Sequence, residues 1–319
     1  MKRKRNHETV LEPTAYHPAG NLARGMDADS SAAEAAGMRR RRLIQSGMFG
    51  IFRLAVLINS LALLIVLAFL LFNGAGAINW TFLTEAPREL MTKGGIFPCI
   101  IGTFLLSLGS IAVAFPWGVA SAIYLHEYAT PGLAVRIIRT GINNLAGVPS
   151  VVFGLFGLAF FVTWLQLEVS ILSGALTLGA LILPVIIGTA EESLRAVPAT
   201  YREASLALGA TKWQTVYRVV LPAAFPGMLT GSILGISRAA GETAAIMFTA
   251  AVFFTPRMPS SIFDPVMALP YHIYVLATAG TEIEATRPLQ YGTALVLIAL
   301  VLGMNLIAII YRARLQQQS

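Results

Sequence analysis

The sequence predicts an all-α membrane protein: six transmembrane helices, with a two-helix cytoplasmic loop between the fourth and the fifth. Three observations predict it. First, 56% of the 319 residues are hydrophobic, 12% are charged and the mean hydropathy is +0.69, whereas soluble domains carry about 25% charged residues. Second, the stretches 54–84, 96–126, 140–167, 169–190 and 288–311 contain no Asp, Glu, Lys or Arg, and 219–256 is interrupted only by Arg238 and Glu242. Third, lysine and arginine alternate in density from one connecting segment to the next.

About 18 consecutive apolar residues suffice to cross a bilayer as a helix. The charge-free stretches therefore place spans near 49–72, 97–121, 144–165, 170–190, 224–252 and 290–311. Pro116 is expected to kink or shorten the second. Eighteen of the 23 Lys and Arg fall in 1–53, 125–142, 191–221 and the tail after 311, against four (Arg88, Lys93, Arg257, Arg287) in the alternate segments. By the positive-inside rule both termini are cytoplasmic. The net charge of +7 thus reads as a topology signal, and no nucleic acid is expected as a partner; membrane lipid is. Residues 1–46 are polar and lack the apolar mass to order themselves, so a disordered cytoplasmic tail is expected there. No apolar core follows Lys2–Arg5 for about forty residues, which argues against a cleaved signal. The outer segment 256–289 is long, and its stretch 265–278 is apolar enough for a short surface helix.

Catalytic motifs are missing. Neither Lys93 nor Lys212 follows a glycine, so the chain shows no phosphate-binding P-loop. His126-Glu127 lacks the second histidine of a zincin, and no Gly-x-Ser-x-Gly elbow occurs. Cys99 is the single cysteine and the four histidines are scattered, so no metal site is expected. These absences favour transport over an intramembrane enzyme.

The loop 191–222 is the most informative stretch. Thr200-x-x-Glu203 and Thr211-x-x-Gln214 each read as a capping box opening a short helix. Gly209 is suited to the left-handed turn that ends the first. The second is expected to end at Leu221-Pro222, where the fifth span begins. Helices this short need a surface to pack on, and Leu206 and Leu208 offer apolar knobs for a groove on a partner.

The fifth span carries charges. Arg238 lies sixteen residues past Pro222, about 24 Å along a helix, well inside a hydrocarbon core of about 30 Å. Glu242 is four residues on, where the two side chains can meet. On a helical wheel both fall within the stripe of Gly227, Gly231 and Gly235, and small residues at this spacing mark close helix packing. Both charges are therefore expected to face protein or a path between subunits. The pair reads either as a packing device or, by preference, as part of a substrate path, where guanidinium protons suit an oxyanion.

Glu203-Ala204-Ser205, three residues, Gly209, nine residues, then Val219-Val220-Leu221-Pro222 resembles the EAA loop of ABC importer permeases, with Ser205 and Val219 as departures. Arg238-Ala239-Ala240-Gly241-Glu242-Thr243 and Asn144–Phe156 resemble the permease subunits of high-affinity phosphate importers, as do Gly95–Pro98 and Ala122–Ala129. The resemblance covers 94–312. It implies a type-1 permease core there, with 47–93 as first span and outer loop and 313–319 as cytoplasmic tail. It also implies that Glu203, Ala204, Ser205, Leu206, Leu208, Gly209, Leu221 and Pro222 dock this chain on an ATPase dimer that holds the ATP-Mg. No cofactor is expected on this chain. A second, related permease and an extracytoplasmic phosphate-binding protein complete the implied machine in a bacterial cytoplasmic membrane. The same importer class with another oxyanion or a small solute as cargo, or a proton-coupled carrier using Glu242, are the rival readings.

Overall fold

The computed structural model describes residues 19–255, 257–279 and 283–316. The protein is an all-α, multi-pass membrane protein. Its long helices are α1 (Ala19–Gly74), α2 (Phe97–Tyr128), α5 (Ile171–Ala196), α7 (Lys212–Ala240) and α9 (Ile283–Gln316), with the bent pair α3 (Leu133–Ala146) and α4 (Ser150–Trp164) as a broken sixth span. The short helix α6 (Ala199–Ala207) lies between α5 and α7, and α8 (Leu269–Thr278) precedes α9. A two-residue antiparallel ladder, Pro87–Arg88 with Lys93–Gly94, is the one sheet among the described residues. The chain divides after Val66 into two units. The first contains the start of α1; the second, Leu67–Ser319, contains everything considered below.

Helix boundaries depart from the sequence reading at several places. Residues 19–46 were expected to be disordered and are helical; a run such as Ser31-Ala32-Ala33-Glu34-Ala35-Ala36 has high intrinsic helix propensity even without an apolar face. Residues 1–18 of that expected tail lie outside the described residues. Pro116 neither ends nor shortens α2, which continues through a π turn at Tyr124–Tyr128. The expected third span 144–165 is instead two helices meeting at 103°, because Pro149 has no N–H to continue the ladder and drives its neighbour out of helical geometry. The fifth span starts twelve residues early, at Lys212, and ends at Ala240 rather than 252. The second loop helix is therefore continuous with the span, through a π turn at Val216–Val220 just before Pro222. Residues 317–319 of the C-terminal tail lie outside the described residues, and α9 runs through the rest of it.

The core sits where α2, α5 and α7 meet. Leu106 and Ala114 of α2 pack with Leu178, Leu181, Ile182 and Ile186 of α5. Nearer the loop end, Ala122 and Leu125 meet Ile187, Ala190, Leu194, Val220, Ala224 and Met228. Three buried hydroxyls of α2 do not interrupt this packing, because each returns its proton to its own helix. Thr103 donates to Cys99 O, Ser107 to Thr103 O and Ser110 to Ser107 O. A third cluster joins Phe82, Ile96 and Cys99 to Met267, Leu269 and Leu276, and the Leu269 N–H donates to Thr103 Oγ1 at 2.8 Å. The apolar stretch 265–278 thus contains α8, packed on the start of α2.

Candidate functional site

The loop end of the bundle is built from α6 and the termini of α2, α5 and α7. Pro198, with φ −57° and ψ 140°, turns the chain into α6 without a side-chain cap. The capping box expected from Thr200 and Glu203 does not form: the helix begins at Ala199, so Thr200 already lies inside its first turn. The second box is present. Gln214 N–H donates to Thr211 Oγ1 at 3.3 Å, and the Gln214 side chain accepts from Thr211 N–H at 2.9 Å.

Gly209 ends α6 with φ +85°. Its N–H donates to Leu206 O, and the Ala210 N–H donates to Ser205 O, so two orphan carbonyls are satisfied by a Schellman turn. Leu206 is 50% and Leu208 90% exposed. Glu203 and Ala204 share this solvent-facing surface, whereas Ser205 turns inward to share a 2.9 Å hydrogen bond with Thr215 of α7. Leu221 is half-buried on the loop-end core and Pro222 is exposed.

Sequence reasoning missed the charges beneath this loop. Arg202, on the second turn of α6, donates to Glu127 Oε1 from Nη2 at 2.7 Å and from Nε at 3.2 Å. It also reaches Leu194 O and Val197 O, both at 2.9 Å. Arg139 of α3 lies 3.5 Å from Glu191 and donates to Leu125 O. Nothing local marks a partner 75 residues away in sequence, so no sequence signal could have found the first pair.

The glycine stripe lies between helices. A side chain on Gly227 would begin 2.6 Å from Ser193 Oγ, one on Gly231 would overlap Thr189, and one on Gly235 would meet Ile111, Ile182 and Ile186. Just beyond, Arg238 and Glu242 do not pair: among the described residues no ion pair joins them. The helix stops at Ala240, so the four-residue spacing no longer places them one turn apart. Glu242 instead folds back, accepting from the N–H groups of Ala244 and Ala245 at 3.0 and 3.4 Å. It is half-buried, and Arg238 is exposed on the surface of this single chain. Of the two expected settings, protein or a path between subunits, Arg238 does not have the first within one subunit. Its neighbour Ser237 donates to Ile233 O and to Asn305 of α9, both at 2.9 Å. No cluster of metal-binding side chains occurs among the described residues.

Residues 114–318 match the family described as the binding-protein-dependent transport system inner membrane component. A probable ABC transporter permease protein of Bacillus subtilis, YqgI, is 34% identical over 277 residues, 83% of this chain and 92% of that protein. The phosphate transport system permease protein PstA of Xylella fastidiosa is 33% identical over 268 residues, covering 84% and 92%. PstA 1 of Mycobacterium tuberculosis is 36% identical over 234 residues, covering 73% and 75%. Among solved structures, an inward-facing MetNI methionine ABC transporter matches with a TM-score of 0.53 at 19% identity, over 69% of this chain and 94% of that one; at this identity the likeness concerns the fold alone.

Proposed function

The chain belongs to the binding-protein-dependent transport system inner membrane components, and from that premise we propose that it is the permease subunit of an ATP-driven importer whose cargo is inorganic phosphate. The permease is a non-catalytic membrane component, and ATP is hydrolysed on a separate dimeric ATPase. The observation that carries the reading is the α6–α7 turn: a short helix closed by left-handed Gly209, with Leu206 and Leu208 exposed at its end. An exposed leucine pair at a helix end is suited to a groove on a partner. Glu203, Ala204 and Ser205 through Pro222 form the docking element in this reading.

Phosphate is supported by two observations. Relatives named as phosphate permeases align over most of this chain. Arg238 is exposed in the single chain, which suits a guanidinium shared across a path between this subunit and a second, homologous permease. A guanidinium offers a planar fork of donors to a tetrahedral oxyanion. Glu242, held by backbone N–H groups, shapes the turn beside it. Both termini and α6 are cytoplasmic in this scheme, in a bacterial cytoplasmic membrane. The opposite end meets an extracytoplasmic phosphate-binding protein. ATP-driven closure of the ATPase dimer moves α6, and the spans tilt to open the path outward.

The test is uptake of labelled phosphate by vesicles holding this chain with its co-purifying ATPase, second permease and binding protein. ATP-dependent uptake, resistant to excess sulfate and molybdate, is the expected result. Uptake that survives ATP depletion and collapses with the proton gradient would overturn the class, and uptake of another anion in preference would overturn the cargo.

A further inference from the structure

The helix α6 has no buried residue, and at nine residues it is too short to be stable alone in water. What fixes it to the bundle is therefore a small set of side chains. Ser205 ties it to α7 through Thr215. Among the described residues, Arg202 supplies the only side-chain hydrogen bonds from α6 to α2 and α5. One face of its guanidinium holds Glu127, and its remaining protons reach two carbonyls where α5 ends. Those carbonyls carry the partial negative charge of a helix C-terminus, which a cation complements. The Glu127 side chain is 9% exposed and that of Arg202 21%, so the pair is largely shielded from solvent and weakly screened. Glu127 sits on the π turn that ends α2, a distortion that recurs at functional sites. Beside it, Arg139 holds Leu125 O and Glu191, binding α3 to the same two helix ends.

We propose that Arg202 is a positioning residue for energy coupling: it locks α6 to the ends of α2 and α5, so that a push on Leu206 and Leu208 moves these helices as one body. The inference rests on the reading of α6 as the ATPase-docking helix. Without the clamp, α6 swivels between Pro198 and Gly209, and ATP is hydrolysed without moving the spans. A lysine keeps the charge but cannot hold a carboxylate and two carbonyls from one planar fork.

The test uses the assembled transporter with spin labels on Tyr201→Cys, an exposed position of α6 outside the docking residues, and on Thr130→Cys. The native Cys99 is fully buried, so within this chain labelling is confined to the introduced sites, and this chain is labelled before it is assembled with its partners. In the parent protein the distance distribution is expected to be narrow and the same with and without ATP. Arg202→Ala is expected to broaden it, with Arg202→Lys intermediate. Phosphate carried per ATP hydrolysed should fall about tenfold in Arg202→Ala, the scale of one lost charge-assisted hydrogen bond, while ATPase co-purification and hydrolysis persist. Either a distribution as narrow as the parent's or an unchanged phosphate-to-ATP ratio in Arg202→Ala overturns the proposal. Should that variant not assemble, Glu127→Gln, which keeps the shape and removes the charge, takes its place with the same two outcomes. A parent chain that binds no ATPase would overturn the docking reading instead, and the distance distribution would still report on the clamp.

Discussion

Thr189 of α5 and Gly231 of α7 are in direct contact, with the threonine side chain standing where any side chain on Gly231 would begin. The Thr189 hydroxyl is also committed to Val185 O and Ile186 O, so it cannot rotate aside without cost. Gly231→Ala is therefore expected to destabilise the α5–α7 contact by about 1–3 kcal/mol, the usual penalty of overpacking. Gly188 offers the control on the same helix as Thr189. Nothing lies within 4 Å of a side chain added there, so Gly188→Ala should be neutral or stabilising by up to about 1 kcal/mol through helix propensity. Thermal unfolding in detergent, read for both variants against the parent, checks the contrast.

Gly209 presents the opposite situation: open space around it but a φ of +85°. A substitution there is strained by torsion alone, costing about 1–2 kcal/mol for an ordinary L-residue. Gly209→Val is expected to insert into the membrane at normal levels and lose phosphate uptake, because the Schellman turn that aims Leu208 is lost. Gly209→Asn should retain much of it, since asparagine tolerates the left-handed region. Normal uptake by the valine variant would remove the turn from the coupling mechanism.

Leu208 is 90% exposed, so its side chain contributes little to the stability of this chain. Leu208→Glu is expected to shift unfolding by less than about 0.5 kcal/mol and to abolish co-purification of the ATPase. Retention of the ATPase would place the docking contact elsewhere on the loop.

The spans were legible because they depend on composition: five charge-free runs and one broken by two charges mark them without tertiary information. Gly209 was legible because a left-handed helix end is a local requirement. Likewise the spacing of Gly227, Gly231 and Gly235 reports a face, and that face does meet α5 and α2. The pairing of Arg238 with Glu242 was misread because the wheel assumes an unbroken helix, and α7 stops between them. Thr200 and Glu203 fit a capping pattern, yet Pro198 sets the helix start two residues earlier than that box needs. The clamp of Arg202 on Glu127 was invisible for a different reason. It is a long-range contact decided by how α2 and α5 pack, and no local pattern encodes it.

In the proposed function, Arg238 is the charged side chain in the path. Arg238→Ala should lower phosphate uptake about 10- to 100-fold, the range of one or two charge-assisted hydrogen bonds, with assembly intact. Arg238→Lys should recover part of it, since the charge remains and the planar fork does not. Equal uptake in all three proteins would reduce Arg238 to a surface residue.

His272 gives the chain an acid-sensitive point outside the long spans. It is 3% exposed on α8 and its Nδ1 has no hydrogen-bond partner. Burial pushes its pKa down from 6.5 to about 4. Between those values the unfolded chain binds a proton that the folded chain refuses, so stability is complete above pH 6.5 and is lost as the pH falls towards 4. The loss across that window is about 3 kcal/mol. His272→Leu removes the titrating group from the helix that also buries Leu269, Val275 and Leu276, so its unfolding temperature in detergent should fall less between pH 7 and pH 4.5 than that of the parent. Parallel losses in the two proteins would mean that another group carries the acid sensitivity.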